Sequence, residues 1–92
     1  MNLPASSQTD PALKPPRLGL VVPCFNEAQP LPATISALDA KLEALSLAGS
    51  IRADSFVLLV DDGSTDATWA LIEQRCADDP RFEGLRLAVN TG

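Results

Sequence analysis

The chain reads as an α/β protein built in the order β-α-β-α-β, with parallel strands joined by right-handed crossovers. Three observations carry that reading. Short apolar runs at Leu18–Val22 and Ser55–Val60 alternate with segments of helical period. The second run ends abruptly in two carboxylates, Asp61 and Asp62, followed by Gly63 and Ser64. The remainder, Phe82 to Val89, supplies a third apolar segment.

Met1 to Pro16 holds Pro4, Pro11, Pro15 and Pro16 among polar residues, and is expected to be an extended or disordered leader. Residues 17–92 then form the folded part. Leu18 to Val22 reads as a first buried strand, ended by Pro23, which has no N–H to give to a ladder. Cys24, Phe25, Asn26 and Glu27 follow as a loop. A helix is expected to start between Ala28 and Pro32, because proline is tolerated only in the first turn. Leu31, Ile35, Leu38, Leu42 and Leu45 give it an apolar stripe, and Gly49-Ser50 a stop.

Ser55 to Val60 reads as the second strand, with Ser64 or Thr65 as the cap of a second helix running from about Thr65 to Ala77. Asp66 falls in its first turn, where the helix dipole favours a carboxylate. Trp69, Ile72 and Cys76 form its inner stripe, and Asp78-Asp79-Pro80 ends it. Phe82 to Val89 reads as a third strand with an alternating pattern, leading into Asn90-Thr91-Gly92. That last turn reads as the opening of a further loop, so the chain is expected to be the N-terminal part of a larger α/β domain, or a truncated product.

Composition narrows the function. The 92 residues allow one small domain, and a hydrophobic fraction of 46% suits a globular one. The net charge of −5 disfavours a nucleic-acid binder, which needs a basic stripe. An anionic ligand would need local compensation from backbone N–H groups, a basic side chain or a metal ion. Cys24 and Cys76 have no CxxC or zinc-type spacing and are expected as two reduced thiols. With no histidine in the chain, a Cys–His nucleophile is excluded.

Two loops would meet at the carboxyl edge of the sheet, where open α/β sheets bind ligands. One is Pro23 to Glu27 and the other Asp61 to Ser64. The first lacks the glycines of a dinucleotide site, so a diphosphate is not expected on the first helix. A flat base against Phe25 and the Pro23 backbone is the better fit. An acidic residue at the end of the second strand would then accept N–H or hydroxyl protons. Alternate strand residues face opposite ways, so only one of Asp61 and Asp62 should enter the cleft. The bland alternatives are a simple turn and cap at Asp62-Gly63-Ser64, and Phe25 and Trp69 as core residues.

Taken together, the loops resemble a known family. Val21-Val22-Pro23-Cys24-Phe25-Asn26-Glu27 resembles the V-P-x-(Y/F)-N-E signature of family 2 glycosyltransferases. Val60-Asp61-Asp62-Gly63-Ser64-Thr65-Asp66 resembles that family's V-D-D-G-S-x-D signature. Asn90-Thr91-Gly92 resembles its N-x-G, with Val89 in place of a common Arg. The likeness is greatest to the dolichol-phosphate mannosyltransferase and bactoprenol glucosyltransferase type, and it covers Leu18 to Gly92.

The resemblance implies the N-terminal part of a GT-A (Rossmann-like) fold that binds a UDP- or GDP-linked sugar. It implies Pro23, Phe25 and Glu27 along the nucleoside pocket, Asp62 on the base and Asp61 supporting it, with Asn26 holding the loop. Catalytic and metal-binding residues would lie beyond Gly92. There Mg²⁺ or Mn²⁺ would balance the departing diphosphate. The acceptor would be a polyprenyl phosphate or a saccharide, and any membrane contact would come through a following C-terminal part. Location would be cytoplasmic, at the inner face of the membrane. The segment alone is expected to be inactive. A receiver-like acidic-pocket module is the alternative, but its acidic pair normally closes the first strand; a nonfunctional fragment is a third reading.

Overall fold

The computed structural model describes residues 14–87. Val89, the Asn90-Thr91-Gly92 turn and most of the leader lie outside them. The described chain forms β1 (Gly19–Cys24), α1 (Leu31–Leu47), β2 (Phe56–Asp61), α2 (Thr68–Asp78) and β3 (Phe82–Arg86). The strands make one parallel sheet in the order β1-β2-β3, with β2 in the centre. The β-α-β-α-β order is therefore as the sequence implies.

Register fixes which residues share a face, because paired residues of parallel strands lie side by side. Leu20, Val22 and Cys24 pair with Val57, Leu59 and Asp61, which pair in turn with Phe82, Gly84 and Arg86. This face is covered by the helices. Leu31, Ile35 and Leu42 of α1 and Ile72 of α2 join Val57, Leu59 and Phe82 in one buried cluster. Full burial of a side chain such as Leu59 or Ile72 contributes roughly 1.5–3 kcal/mol. Gly84 lets α2 come close: a Cβ there would stand 2.7 Å from Ile72 Cγ2. The opposite face holds Val21, which is 66% exposed, together with Leu58, Val60 and the exposed Leu85. No described element covers it.

Several boundaries differ from expectation. Pro23 lies inside β1, opposite Val60, instead of ending the ladder before it. The reason is directional. Leu18 O and Cys24 O accept from Phe56 N and Asp62 N of the β2 strand and its extension. Residues alternate, so the missing Pro23 N–H faces away from β2, where proline is tolerated. β2 begins and ends one residue later than the apolar run suggested, taking Asp61 into the strand. α1 starts at Leu31 with Pro32 in its first turn, and closes with Ser50 N donating to Leu45 O.

The start of α2 is a correction. It begins at Thr68 after Ala67, and neither Ser64 nor Thr65 caps it. Both are engaged by the neighbouring loop instead, and Asp66 precedes the helix. β3 also departs from simple alternation, since Phe82 faces the helices while Leu85 faces the open side.

Candidate nucleotide site at the carboxyl edge

The ends of β1 and β2 are adjacent, with Cys24 opposite Asp61. Asp62 N donates to Cys24 O at 2.9 Å, so the two loops leave the sheet side by side. Gly63, at φ 81°, turns the second loop back on the strand end.

The two loops are then clasped by side chains. Asn26 N donates to Ser64 Oγ at 2.8 Å, and Thr65 N donates back to Asn26 Oδ1 at 2.8 Å. Glu27 N donates to Thr68 Oγ1 at 2.9 Å, and Ala28 N to Asp66 Oδ2 at 3.2 Å. Four backbone N–H groups that would otherwise lack partners are thereby satisfied across the gap. Asn26 holds φ 48°, a left-handed conformation that asparagine tolerates better than most residues. Thr68 donates its hydroxyl to Asp66 Oδ1, which also accepts Thr68 N. The Thr68 hydroxyl holds the Asp66 carboxyl below its ordinary range, helped by the Thr68 and Ala28 N–H groups.

The two central carboxylates divide as strand geometry requires. Asp61 has no exposed surface, and its Oδ1 accepts the Ser64 N–H at 3.0 Å. Asp62 is exposed. Asp61 thus builds the turn, and Asp62 is the one a ligand can reach. Glu27 is exposed, but its Oε1 accepts Phe25 N at 3.0 Å, so it shapes its own loop. Phe25 is 57% exposed and is not a core residue. Pro23 is exposed on the open face. Cys24 is buried and free, its thiol pushed up by burial and by the Glu27 and Asp61 charges, as suits a space-filling residue.

Sequence reasoning missed Thr68 and Arg86. Thr68 had a local signal, a hydroxyl two residues after Asp66 ahead of a helix. Arg86 had none, because only the strand register sets it opposite Asp61. Concavities elsewhere among the described residues include one of about 220 Å³ between Pro32 and Ile35 of α1 and Leu71 and Arg75 of α2, and one of about 310 Å³ near Arg17, Phe56 and Arg81. Among the described residues, no group of three or more His, Cys, Asp or Glu side chains could hold a metal ion. No described helix is long and apolar enough to cross a membrane.

Comparison with known proteins shows what the chain is similar to. The chain is 43% identical over 77 residues to the uncharacterized glycosyltransferase YkoT of Bacillus subtilis (strain 168), covering 84% of the chain and 23% of that protein. It is 38% identical over 90 residues to an N-acetylglucosaminyltransferase of Neorhizobium galegae, covering 97% and 19%. An N-acetylglucosaminyltransferase of Bradyrhizobium elkanii is 36% identical over 78 residues, covering 84% and 39%. The chain thus spans about a fifth of the length of the first two relatives. No solved structure matches it. The family model for glycosyl transferase family 2 matches residues 20–92, both signature loops included. The chain belongs to glycosyl transferase family 2.

Proposed function

We propose that this chain forms the donor-binding front of an enzyme that transfers a sugar from a nucleotide diphosphate to a saccharide or lipid-phosphate acceptor. One observation carries the reading. The loops after β1 and β2 are clasped into a single rigid edge that buries Asp61 and leaves Pro23, Phe25, Glu27 and Asp62 exposed. Phe25 offers a ring for a base, and Asp62 an acceptor for its N–H groups. This orients the donor, and orientation is a major part of catalysis when the reacting groups lie on another segment.

In this proposal residues 17–92 are the N-terminal part of the transferase domain, preceded by a leader at 1–16. The donor is a UDP- or GDP-linked sugar. The relatives named N-acetylglucosaminyltransferase favour a donor that carries N-acetylglucosamine. The likeness of the signature loops to the dolichol-phosphate and bactoprenol type favours a polyprenyl phosphate. Among the described residues no group of three or more His, Cys, Asp or Glu side chains could hold an Mg²⁺ or Mn²⁺ ion, and in this proposal its ligands lie beyond Gly92. The enzyme would act in the cytoplasm at the inner membrane face. The receiver-like alternative finds no support, since the acidic pair closes β2, not β1.

Calorimetry of the full-length protein with UDP- and GDP-sugars, with Mg²⁺ or Mn²⁺ present, tests the reading. Binding that weakens on Asp62→Ala or Phe25→Ala is the expected result. No heat with any nucleotide would overturn it. The 92-residue chain alone should transfer no sugar.

A further inference from the structure

The carboxyl edge contains one buried charge that the clasp leaves half satisfied. Asp61 has no exposed surface, and its Oδ1 is taken by the Ser64 N–H. Its Oδ2 has no hydrogen-bond partner among the described residues. Desolvation penalises a buried carboxylate, and one neutral hydrogen bond does not offset that penalty.

Arg86 ends β3 directly beside Asp61 in the parallel register, on the same helix-covered face. Its Nε stands 3.8 Å from Asp61 Oδ2. Its guanidinium lies over the Trp69 ring of α2, 5.7 Å from the centroid, which holds the cation in place. The other described basic residues lie elsewhere. Arg17, Arg52 and Arg81 border the starts of the strands, Arg75 is late in α2, Lys41 is in α1, and Lys14 precedes β1. Arg86 is thus the basic side chain of this edge among the described residues, with half of its side chain still open to solvent.

We propose that Arg86 is a positioning residue of the nucleoside pocket, acting through Asp61 to hold the 61–64 turn that presents Asp62. The proposal rests on the nucleotide-binding reading above. At 3.8 Å the interaction is coulombic and not a directed hydrogen bond, so a lysine should retain it. The chain of contacts runs from Trp69 to Arg86, to Asp61, to the Ser64 amide, and through Ser64 Oγ to the Asn26 amide of the other loop.

Arg86→Met keeps the aliphatic stem and removes the charge, with Arg86→Gln as a second variant should the first not fold. Two readouts are taken on the full-length protein: hydrogen exchange at the Ser64 and Asn26 amides without ligand, and affinity for uridine, guanosine, UDP and GDP. Loss of the charge should speed exchange at Ser64. It should weaken a nucleoside and its diphosphate by the same factor, at least about fivefold, as for coupling between linked sites. Arg86→Lys should restore both. A loss confined to the diphosphates would overturn the proposal in favour of a phosphate contact. Unchanged Ser64 exchange would overturn it outright. If the wild-type full-length protein binds none of the four probes, the nucleotide reading fails, while Ser64 exchange still decides whether Arg86 acts through Asp61.

Discussion

The two ends of the sheet use charge in opposite ways. At the amino ends of the strands, arginines and carboxylates meet each other. Arg52 and Arg17 reach Asp54 at 2.8 and 3.5 Å. Arg81 reaches Asp39, Glu43 and Asp79, and Arg75 reaches Asp39 and Asp79. These contacts join α1, α2 and the start of β3. At the carboxyl ends, the acidic side chains mostly meet backbone N–H groups: Asp61 takes Ser64, Asp66 takes Ala28 and Thr68, and Glu27 takes Phe25. Asp62 is left exposed. An edge neutralised by ion pairs has structural work to do. An edge whose carboxylates order loops leaves one of them, Asp62, open to solvent, and the proposed function gives that one hydrogen-bond donors to receive.

The sharpest way to break this contrast is Asp61→Ala. It strands the buried Ser64 N–H, which costs about 1–3 kcal/mol. Urea denaturation should show that loss, and nucleotide affinity should fall with it. Asp61→Asn keeps an acceptor and should cost less. Next in size is Asn26→Ala, which removes the Thr65 N–H acceptor and places alanine at φ 48°. Strain of this kind is worth about 1–2 kcal/mol. Asn26→Gly relieves the strain but still removes the Thr65 N–H acceptor, one of the four bonds of the clasp, so it should recover stability in urea while nucleotide affinity recovers only in part.

The other end should answer differently. Arg81→Met removes partly exposed ion pairs, and at most about 1 kcal/mol is expected for each such pair, shrinking in salt. Nucleotide affinity should not change; a drop comparable to that of the Asn26 variants would erase the distinction between the two ends.

The smallest effect is that of acid. Burial opposes ionisation of Asp79, but the Arg81 N–H and guanidinium outweigh it and hold the carboxyl below its usual range. Asp66 is lowered too, by its Thr68 hydroxyl bond first. A depressed folded pKa contributes stability that is complete above the ordinary value near 3.9 and is lost as pH falls through the folded pKa. Thermal melts below about pH 4 should therefore flatten in Asp79→Asn and in Asp66→Asn relative to the parent.

Much of the fold was legible because burial leaves a periodic trace. The Leu31, Ile35, Leu38, Leu42 and Leu45 stripe and the apolar runs of β1 and β2 mark their elements directly; Leu31, Ile35 and Leu42 are buried, and Leu38 and Leu45 pack partly buried against them. The carboxyl-edge loops were legible as paired signatures, and Asn26 holds its loop as that resemblance implied. The start of α2 was misplaced because Ser64 and Thr65 look like caps locally, whereas a loop 38 residues away engages Ser64 Oγ. Pro23 was misread because only the direction of its missing N–H, set by strand pairing, decides whether it ends a strand.

By itself, the sequence determined the alternation of strands and helices, the acidic end of β2 and the two loops that identify the family. These follow from periodicity and from residues adjacent in the chain. The tertiary structure alone decided that Asp61 is buried while Asp62 is open, that Thr68 and Ser64 fasten the neighbouring loop, and that Arg86 stands beside the unpartnered Asp61 oxygen. The physical reason is register. Which side chains share a face, and which backbone groups meet across a gap, is set by pairing between strands far apart in the chain.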